Sequence, residues 1–330
     1  MAYRLNIDKK LPKHLIFLCV ISIVIVSCFN SQNKKKVIRN YKDGTKEVYT
    51  VINDSILEGK LIGYYNSGNI SYESIYKNGK KIDSSIYYYD SKEKKITAIE
   101  HIINENTVFF KSFNSSGKIV KKGKYYNDSI KIGKWKNYDK NGNLDYIREY
   151  KIINDKSYTN QLWYLLPSGD TINNGTSMKY KVSSKRIKHG DSIRFFFQSD
   201  VPTYINSDFL VTLPKEYTKH NFNSDFSNIP NDTIKNSAIK HIYSLKYTNN
   251  YLFDKQKIDS TKHYKTVVFY IVPKTKGRDT IRGLFSEVKS FNKGVPNLIE
   301  YFNETKKTNT SDTITTETRT IYFDIPIEVY

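Results

Sequence analysis

Cysteine is almost absent from the chain. Its 330 residues hold two, Cys19 and Cys28, both near the N-terminus. A disulfide framework is therefore excluded, and stability has to come from sheet and core. Proline is missing between Pro12 and Pro167, as long runs of ladder hydrogen bonding require. Alanine is scarce, while the 14% aromatic content is mostly Tyr (28) and Phe (17), which disfavours helical bundles and coiled coils. No H-E-x-x-H, G-x-S-x-G or G-x-x-x-x-G-K-[ST] occurs. Beyond the leader the histidines are His101, His189, His220, His241 and His263, without metal-ligand spacing. With no thiol pair either, zinc and cysteine-nucleophile chemistry are not expected, nor is any cofactor, and the chain is read as non-enzymatic. With 38% hydrophobic residues it can bury a core, and its length suits two domains.

The N-terminus is an address. Arg4, Lys9, Lys10 and Lys13 precede a 12-residue apolar run, Leu15 to Val26, broken only by Ser22. That is the length of a signal h-region and short of the ~20 residues a spanning helix needs. The run ends Ile25-Val26-Ser27-Cys28, which resembles the lipobox of bacterial lipoproteins, with Ile in place of the usual Leu. The resemblance implies that residues 1–27 are a signal peptide and that Cys28 becomes an acylated first residue. At ~0.8 kcal/mol per buried CH₂, several acyl chains hold a protein on a membrane where one would not. Removing four basic residues and one acidic residue takes the formal charge from +20 to +17. Lys34, Lys35, Lys36 and Arg39 follow the anchor, so residues 28–40 read as a basic tether beside anionic headgroups.

A repeat comes next. Asn53–Ile70 aligns with Asn127–Leu144 without a gap at an offset of 74, with nine identities in 18 positions. Tyr72 and Tyr76 continue the match onto Tyr146 and Tyr150. One class of turn falls at Gly44, Gly68, near Lys92, at Gly117 and at Gly142; a second falls at Asp54, Gly79, Asn104, Asp128 and Asp155. Each unit of about 25 residues therefore holds two turns and two short strands. Asn78-Gly79, Asn141-Gly142 and Asp43-Gly44 supply the positive-φ residues of tight hairpins. One hairpin is marginal alone, so about five must stack.

The Gly-Lys-x-x-x-Tyr-x-x-x-Gly pattern followed by Tyr76-Lys77-Asn78-Gly79-Lys80 resembles the bacterial variant of the MORN repeat, found in many exported proteins and in the YwqK-like group labelled as antitoxins. The resemblance covers about residues 41–169 and implies an elongated, twisted antiparallel sheet used as a spacer or docking surface. The central unit departs from the pattern, lacking the glycine at Asp90–Lys95 and carrying Asp83 where a glycine is usual. Tyr64, Tyr65, Tyr87, Tyr88, Tyr125, Tyr126, Trp135 and Tyr138 admit two readings: a strip that contacts carbohydrate or lipid, or cross-strand pairs that stabilise the sheet.

Composition shifts after residue 166, where seven of the eight prolines begin. Strands are expected at Ser177–Ser183, Asp191–Gln198, Asp208–Leu213, Lys240–Lys246, Lys265–Val272, Thr280–Lys289 and Arg319–Tyr330, a two-sheet sandwich over residues 170–330. The apolar runs at Arg194–Gln198 and Val267–Val272 read as central strands, and Pro326 as an edge or bulge. Gly190-Asp-Ser-Ile-Arg-Phe, with the terminal Tyr322-Phe-Asp-Ile-Pro-Ile strand, is similar to immunoglobulin-like domains of envelope lipoproteins. The fold class is thus all-β: hairpin repeats followed by a sandwich.

Asp followed by Ser or Thr recurs, placing the hydroxyls Ser55, Ser129, Thr171, Ser192, Thr233, Ser260, Thr280 and Thr313 after an aspartate. Turn geometry accounts for such a pattern, the carboxylate capping the turn and the hydroxyl residue leaving it. It also resembles the acceptor motif for general O-glycosylation of exported proteins in certain Gram-negative bacteria. The functional expectation is a non-enzymatic scaffold of the cell envelope. Acylated Cys28 would hold it in membrane lipid. The outer membrane with periplasmic orientation is expected, because acidic surface-export residues are missing after Cys28. Its partner would be an envelope protein or glycan, with no nucleic acid expected. The alternatives are a glycan-binding protein using the Tyr-rich sheet and an immunity protein of the antitoxin type.

Overall fold

Turn chemistry, repeated, sets the architecture. The computed structural model describes residues 33–215, 221–230, 238–247, 256–290 and 316–330. The signal segment, Cys28, Thr233 and Thr313 lie outside them. The chain is all-β and divides into two units, the first ending at Ile96 and the second running Thr97–Tyr330.

In the first unit, β1 (Lys34–Asn40), β2 (Lys46–Ile52), β3 (Ile56–Leu57), β4 (Gly59–Tyr64), β5 (Ile70–Lys77), β6 (Lys80–Lys81) and β7 (Ser85–Tyr88) follow one another. They form a sheet in the order β1-β2-β4-β5-β7, with β3 against β2 and β6 against β5. The basic tether expected over residues 28–40 is corrected here: from Lys34 onward it is β1, paired residue for residue with β2. Six of its seven side chains are exposed, so backbone hydrogen bonds hold it, and its lysines blunt an edge strand.

The second unit opens with β8 (Ile96–Asn104), β9 (Thr107–Phe113), β10 (Ile119–Tyr126), β11 (Ile130–Tyr138), β12 (Leu144–Ile153), β13 (Lys156–Leu165) and β14 (Thr171–Thr176), antiparallel neighbours in sequence order. The hairpin region thus extends past residue 169, to Thr176.

Both turn classes have a definite geometry. Asn53-Asp54, Asn78-Gly79, Asn127-Asp128 and Asn154-Asp155 each place two consecutive residues at positive φ, between +46° and +76°. That is the primed two-residue turn whose twist matches a hairpin. In the other class, Gly44, Gly68, Gly117, Gly142 and Gly169 donate their N–H to the carbonyl three residues back, at 2.8–3.1 Å. Gly169 is a sixth site of this class, and the glycine-less unit turns near Lys92, with Lys94 at positive φ (47°). There the closing bond runs from Tyr89 N to Lys95 O, two residues longer than Tyr65 N to Asn69 O, and the extra length takes the place of glycine.

Two hairpins 74 residues apart repeat pair for pair. Gly59–Tyr76, Lys60–Ile75, Leu61–Ser74 and Gly63–Tyr72 correspond to Gly133–Tyr150, Lys134–Glu149, Trp135–Arg148 and Asn137–Tyr146. Both then slip at the same place, to Tyr64–Ile70 and Tyr138–Leu144.

The rest of the second unit is a two-sheet sandwich. One sheet has the order β15 (Met178–Val182), β17 (Ile193–Ser199), β20 (Thr266–Ile271). The other has β16 (Arg186–Ile187), β22 (Thr316–Val329), β21 (Gly277–Ser290), β18 (Asp208–Pro214), β19 (Ile239–Tyr243). All seven expected strands are present. The inward residues of β17 (Ile193, Phe195, Phe197) and of β22 (Ile321, Phe323, Ile325, Ile327, Val329) alternate with outward ones and meet in one core. Phe195 stacks on Phe269 at 4.9 Å, and Phe197 meets Phe323 at 4.6 Å.

Strand β20 differs from expectation. It ends its sheet instead of standing in the middle. Its run is apolar because Val267, Val268 and Phe269 are all buried, on both faces of the strand. Past the ladder its backbone accepts from Leu245 N at 2.8 Å. Pro326 sits opposite Thr280. The N–H groups of Glu328 and Tyr330, on the same side of β22, donate to Lys185, just before β16, and to Ile187 within it. Pro326 falls beyond the end of that short strand, where no donor is needed.

Candidate binding surfaces

Of the eight aromatic residues singled out from the sequence, two are buried and six keep only part of their surface open. Trp135 is 2% exposed and Tyr88 7%, while Tyr64, Tyr65, Tyr87, Tyr125, Tyr126 and Tyr138 are half-buried. Trp135 lies over Gly123, where a Cβ would stand 2.3 Å from the indole. Around it are Tyr125 (4.8 Å), Phe110 (6.0 Å) and Tyr150 (6.4 Å), with the Lys131 ammonium 5.1 Å from the ring centre. Its indole N–H donates to Lys124 O at 3.1 Å. Tyr87 stacks on Tyr72, whose hydroxyl donates to Glu47. Tyr65 donates to Tyr88 O at 2.6 Å. Burial raises the Tyr125 phenol above its ordinary pKa. These rings clad the sheet from within, each using a partner's surface as its core.

The hydroxyls after aspartate separate by location. Ser55 and Ser129 leave primed turns and are exposed, as are Thr171, Ser192 and Ser260. Asp259 caps a short 3₁₀ turn, accepting from Thr261 N at 3.0 Å. Thr280 is the exception to the turn pattern: it lies half-buried inside β21, opposite Pro326.

Open clefts lie among the described residues of the second unit. One, of about 650 Å³, is lined by Tyr126, Ile130, Lys151, Asp155, Asp225 and Asp324 among others. Two of its charges are committed to one another: Lys151 pairs with Asp324 at 2.5 Å. The Asp225 carboxyl, held below its ordinary range by hydrogen bonds from Ser227, serves its own turn. Another, of about 390 Å³, lies beside Lys185, Arg278 and Glu328. Among the described residues no group of three or more His, Cys, Asp or Glu is placed to hold a metal ion, and no helix is long and apolar enough to cross a membrane.

What sequence reasoning missed is a polar joint within the second unit between β13 and β22. Arg319 donates to Tyr158 Oη and Thr320 O, both at 2.5 Å, to Asn160 O at 2.6 Å and to Thr159 O at 3.1 Å. Tyr158 in turn donates to Thr320 O at 2.7 Å. Its phenol is pushed above the ordinary range by burial, against the pull of the Arg319 charge. Asn160, fully buried, acts like a strand residue through its side chain. Its amide gives to Tyr322 O at 3.0 Å and accepts from Tyr322 N at 2.8 Å. Its second donor hydrogen goes to Glu149 Oε2 at 2.7 Å, which also accepts from Gln161 at 2.8 Å. The partners are about 160 positions apart, and no local pattern announces them. The slip opposite Glu149 and Tyr150 that turns Asn160 out of the ladder is equally silent in the sequence.

No protein-family model matches this chain, and no curated protein matches it.

Proposed function

We propose that the protein is a non-enzymatic scaffold of the bacterial cell envelope. Acylated Cys28 anchors it in the outer membrane on the periplasmic side, and an immunoglobulin-like sandwich is presented to an envelope protein or glycan. The observation that carries this reading is the joint of β13 and β22. A domain that merely trailed from a sheet would need no buried asparagine, no four-way arginine and no carboxylate to receive them. Burying such groups costs stability unless every one finds a partner. A fixed presentation of the sandwich by the hairpin sheet is what that network secures. The lipobox-like Ile25-Val26-Ser27-Cys28 supports the anchor. The test is membrane fractionation of the Cys28→Ala variant with mass analysis of the mature N-terminus. The wild type is expected in the membrane pellet, starting at an acylated Cys28, and the variant in the soluble fraction. A variant that still sediments with vesicles overturns the anchoring.

A further inference from the structure

On one face of the second unit's hairpin sheet, a row runs across six strands at a single register. Ile99 stands opposite Lys111, Lys111 opposite Lys122, Lys122 opposite Lys136, Lys136 opposite Ile147 and Ile147 opposite Trp163. Three lysines are thus direct cross-strand neighbours, spaced by the ~4.8 Å between strands. Like charges placed so are destabilising. Among the described residues none of the three forms an ion pair. Lys124 and Lys134 flank the row on the same face, and the Lys134 ammonium lies 4.9 Å from the centre of the Trp163 ring.

The fold does not require this. In the first unit the equivalent row reads Ile38, Val48, Ile62, Glu73, Ile86, and Val48 and Ile62 are the repeat partners of Lys122 and Lys136. The same hairpin accepts apolar residues at these positions. A general lysine richness of the chain does not explain why three fall in register in one unit and none in the other.

We propose that this row seats an anionic polysaccharide. Carboxylates on successive sugars would pair with lysines on successive strands, and a sugar face would rest on Trp163. The row holds lysines and no arginine, which suits single point charges better than the two-pronged grip used for phosphate. A flat membrane fits poorly. Next to the row, β22 and the 221–230 loop stand over β12 and β13, through Lys151–Asp324, Asn154 N–Asp225 O and Asn160–Tyr322. A single polymer strand can lie along such a wall.

The inference rests on the scaffold reading for its envelope setting alone, so Cys28 fractionation and polymer binding fail independently. The experiment titrates the purified full chain with polygalacturonate, reading tryptophan emission, beside neutral dextran, phosphatidylglycerol vesicles and a single-stranded DNA oligomer. Binding to polygalacturonate that weakens with salt is expected. The triple variant Lys111→Gln/Lys122→Gln/Lys136→Gln should lose about 100-fold in affinity, at roughly 1 kcal/mol per charge. Lys34→Gln/Lys35→Gln/Lys36→Gln should bind as the wild type does. Lys122→Glu, which supplies a partner to both neighbours inside the sheet, should keep the fold and also lose binding. An unchanged triple variant, equal binding of dextran, or tighter binding of vesicles or DNA overturns the proposal.

Discussion

Replacing Asn160 by aspartate tests the joint at its most constrained point. The change preserves shape and removes both donor hydrogens. The bonds to Glu149 Oε2 (2.7 Å) and Tyr322 O (3.0 Å) are lost, and an oxygen is turned toward each acceptor in their place. Two forfeited bonds cost about 1 kcal/mol each. Two carboxylates whose charge centres stand about 4 Å apart would repel by about 4 kcal/mol at an effective dielectric near 20, which a bound proton relieves in part. The sum is a loss of about 3–5 kcal/mol, the range for a broken buried charge network. Urea unfolding followed by tryptophan emission measures it cleanly, because Trp135 and Trp163 are the only tryptophans and both lie in the second unit. The pH dependence has a definite sign. In the variant the carboxyl pair holds a proton more tightly folded than unfolded, so the deficit is largest at neutral pH and shrinks toward pH 4. Asn160→Ala, which adds no charge, should show a smaller deficit without that slope. A neutral-pH stability of Asn160→Asp within about 0.5 kcal/mol of the wild type refutes the account, as does a deficit that grows on acidification.

Two other perturbations address each unit separately. Burial pushes the Glu73 carboxyl up, but Lys60 (3.1 Å), the Tyr88 hydroxyl (3.2 Å) and Lys94 (3.8 Å) hold it below its ordinary value. Its contribution is therefore present above the unfolded carboxyl pKa and lost as pH falls through the lower folded value. Hydrogen-exchange protection of β4 and β5 should weaken on acidification, and Glu73→Gln should flatten that dependence; an unaltered acid response would count against the pairing. At Gly283 a Cβ would stand 2.5 Å from Phe323, 2.7 Å from Leu213 and 2.8 Å from the Thr212 carbonyl. Gly283→Ala should thus cost about 2–3 kcal/mol by overpacking, and an unchanged calorimetric transition would show that the sheets have room to part.

Elements set by neighbouring residues are legible in the amino-acid sequence. Asn-Asp, Asn-Gly and the lone turn glycines act within four residues, so their spacing exposes the hairpins and their repeat. The alternation Ile193, Phe195, Phe197 similarly exposes a strand with one face inward. Where sequence and fold part company, the deciding partner lies elsewhere in the chain. The charges of Lys34–Arg39 suggest a solvated tether, yet β2 supplies the hydrogen bonds that make it a strand. Val267–Phe269 suggests a central strand because burial on both faces, not position in the sheet, makes a run apolar.

The candidate surfaces follow the same division. The adjacent pairs Tyr64-Tyr65, Tyr87-Tyr88 and Tyr125-Tyr126 look like an exposed strip in one dimension, but the register puts Tyr125, Phe110 and Tyr150 around Trp135 and packs those rings on one another. Lys111, Lys122 and Lys136 look scattered, separated by 11 and 14 positions, and the same register draws them into a line. A repeat unit recognised in the sequence carries this information implicitly, because the turn positions fix which residues face across each hairpin. The slip after Lys122 and the slip at Glu149 do not follow from the turns. They decide that Trp135 lands on Gly123 and that Asn160 leaves the ladder to reach Tyr322. Irregularity in an otherwise regular sheet is where this chain places its single-purpose contacts, the ones that neither composition nor period can announce.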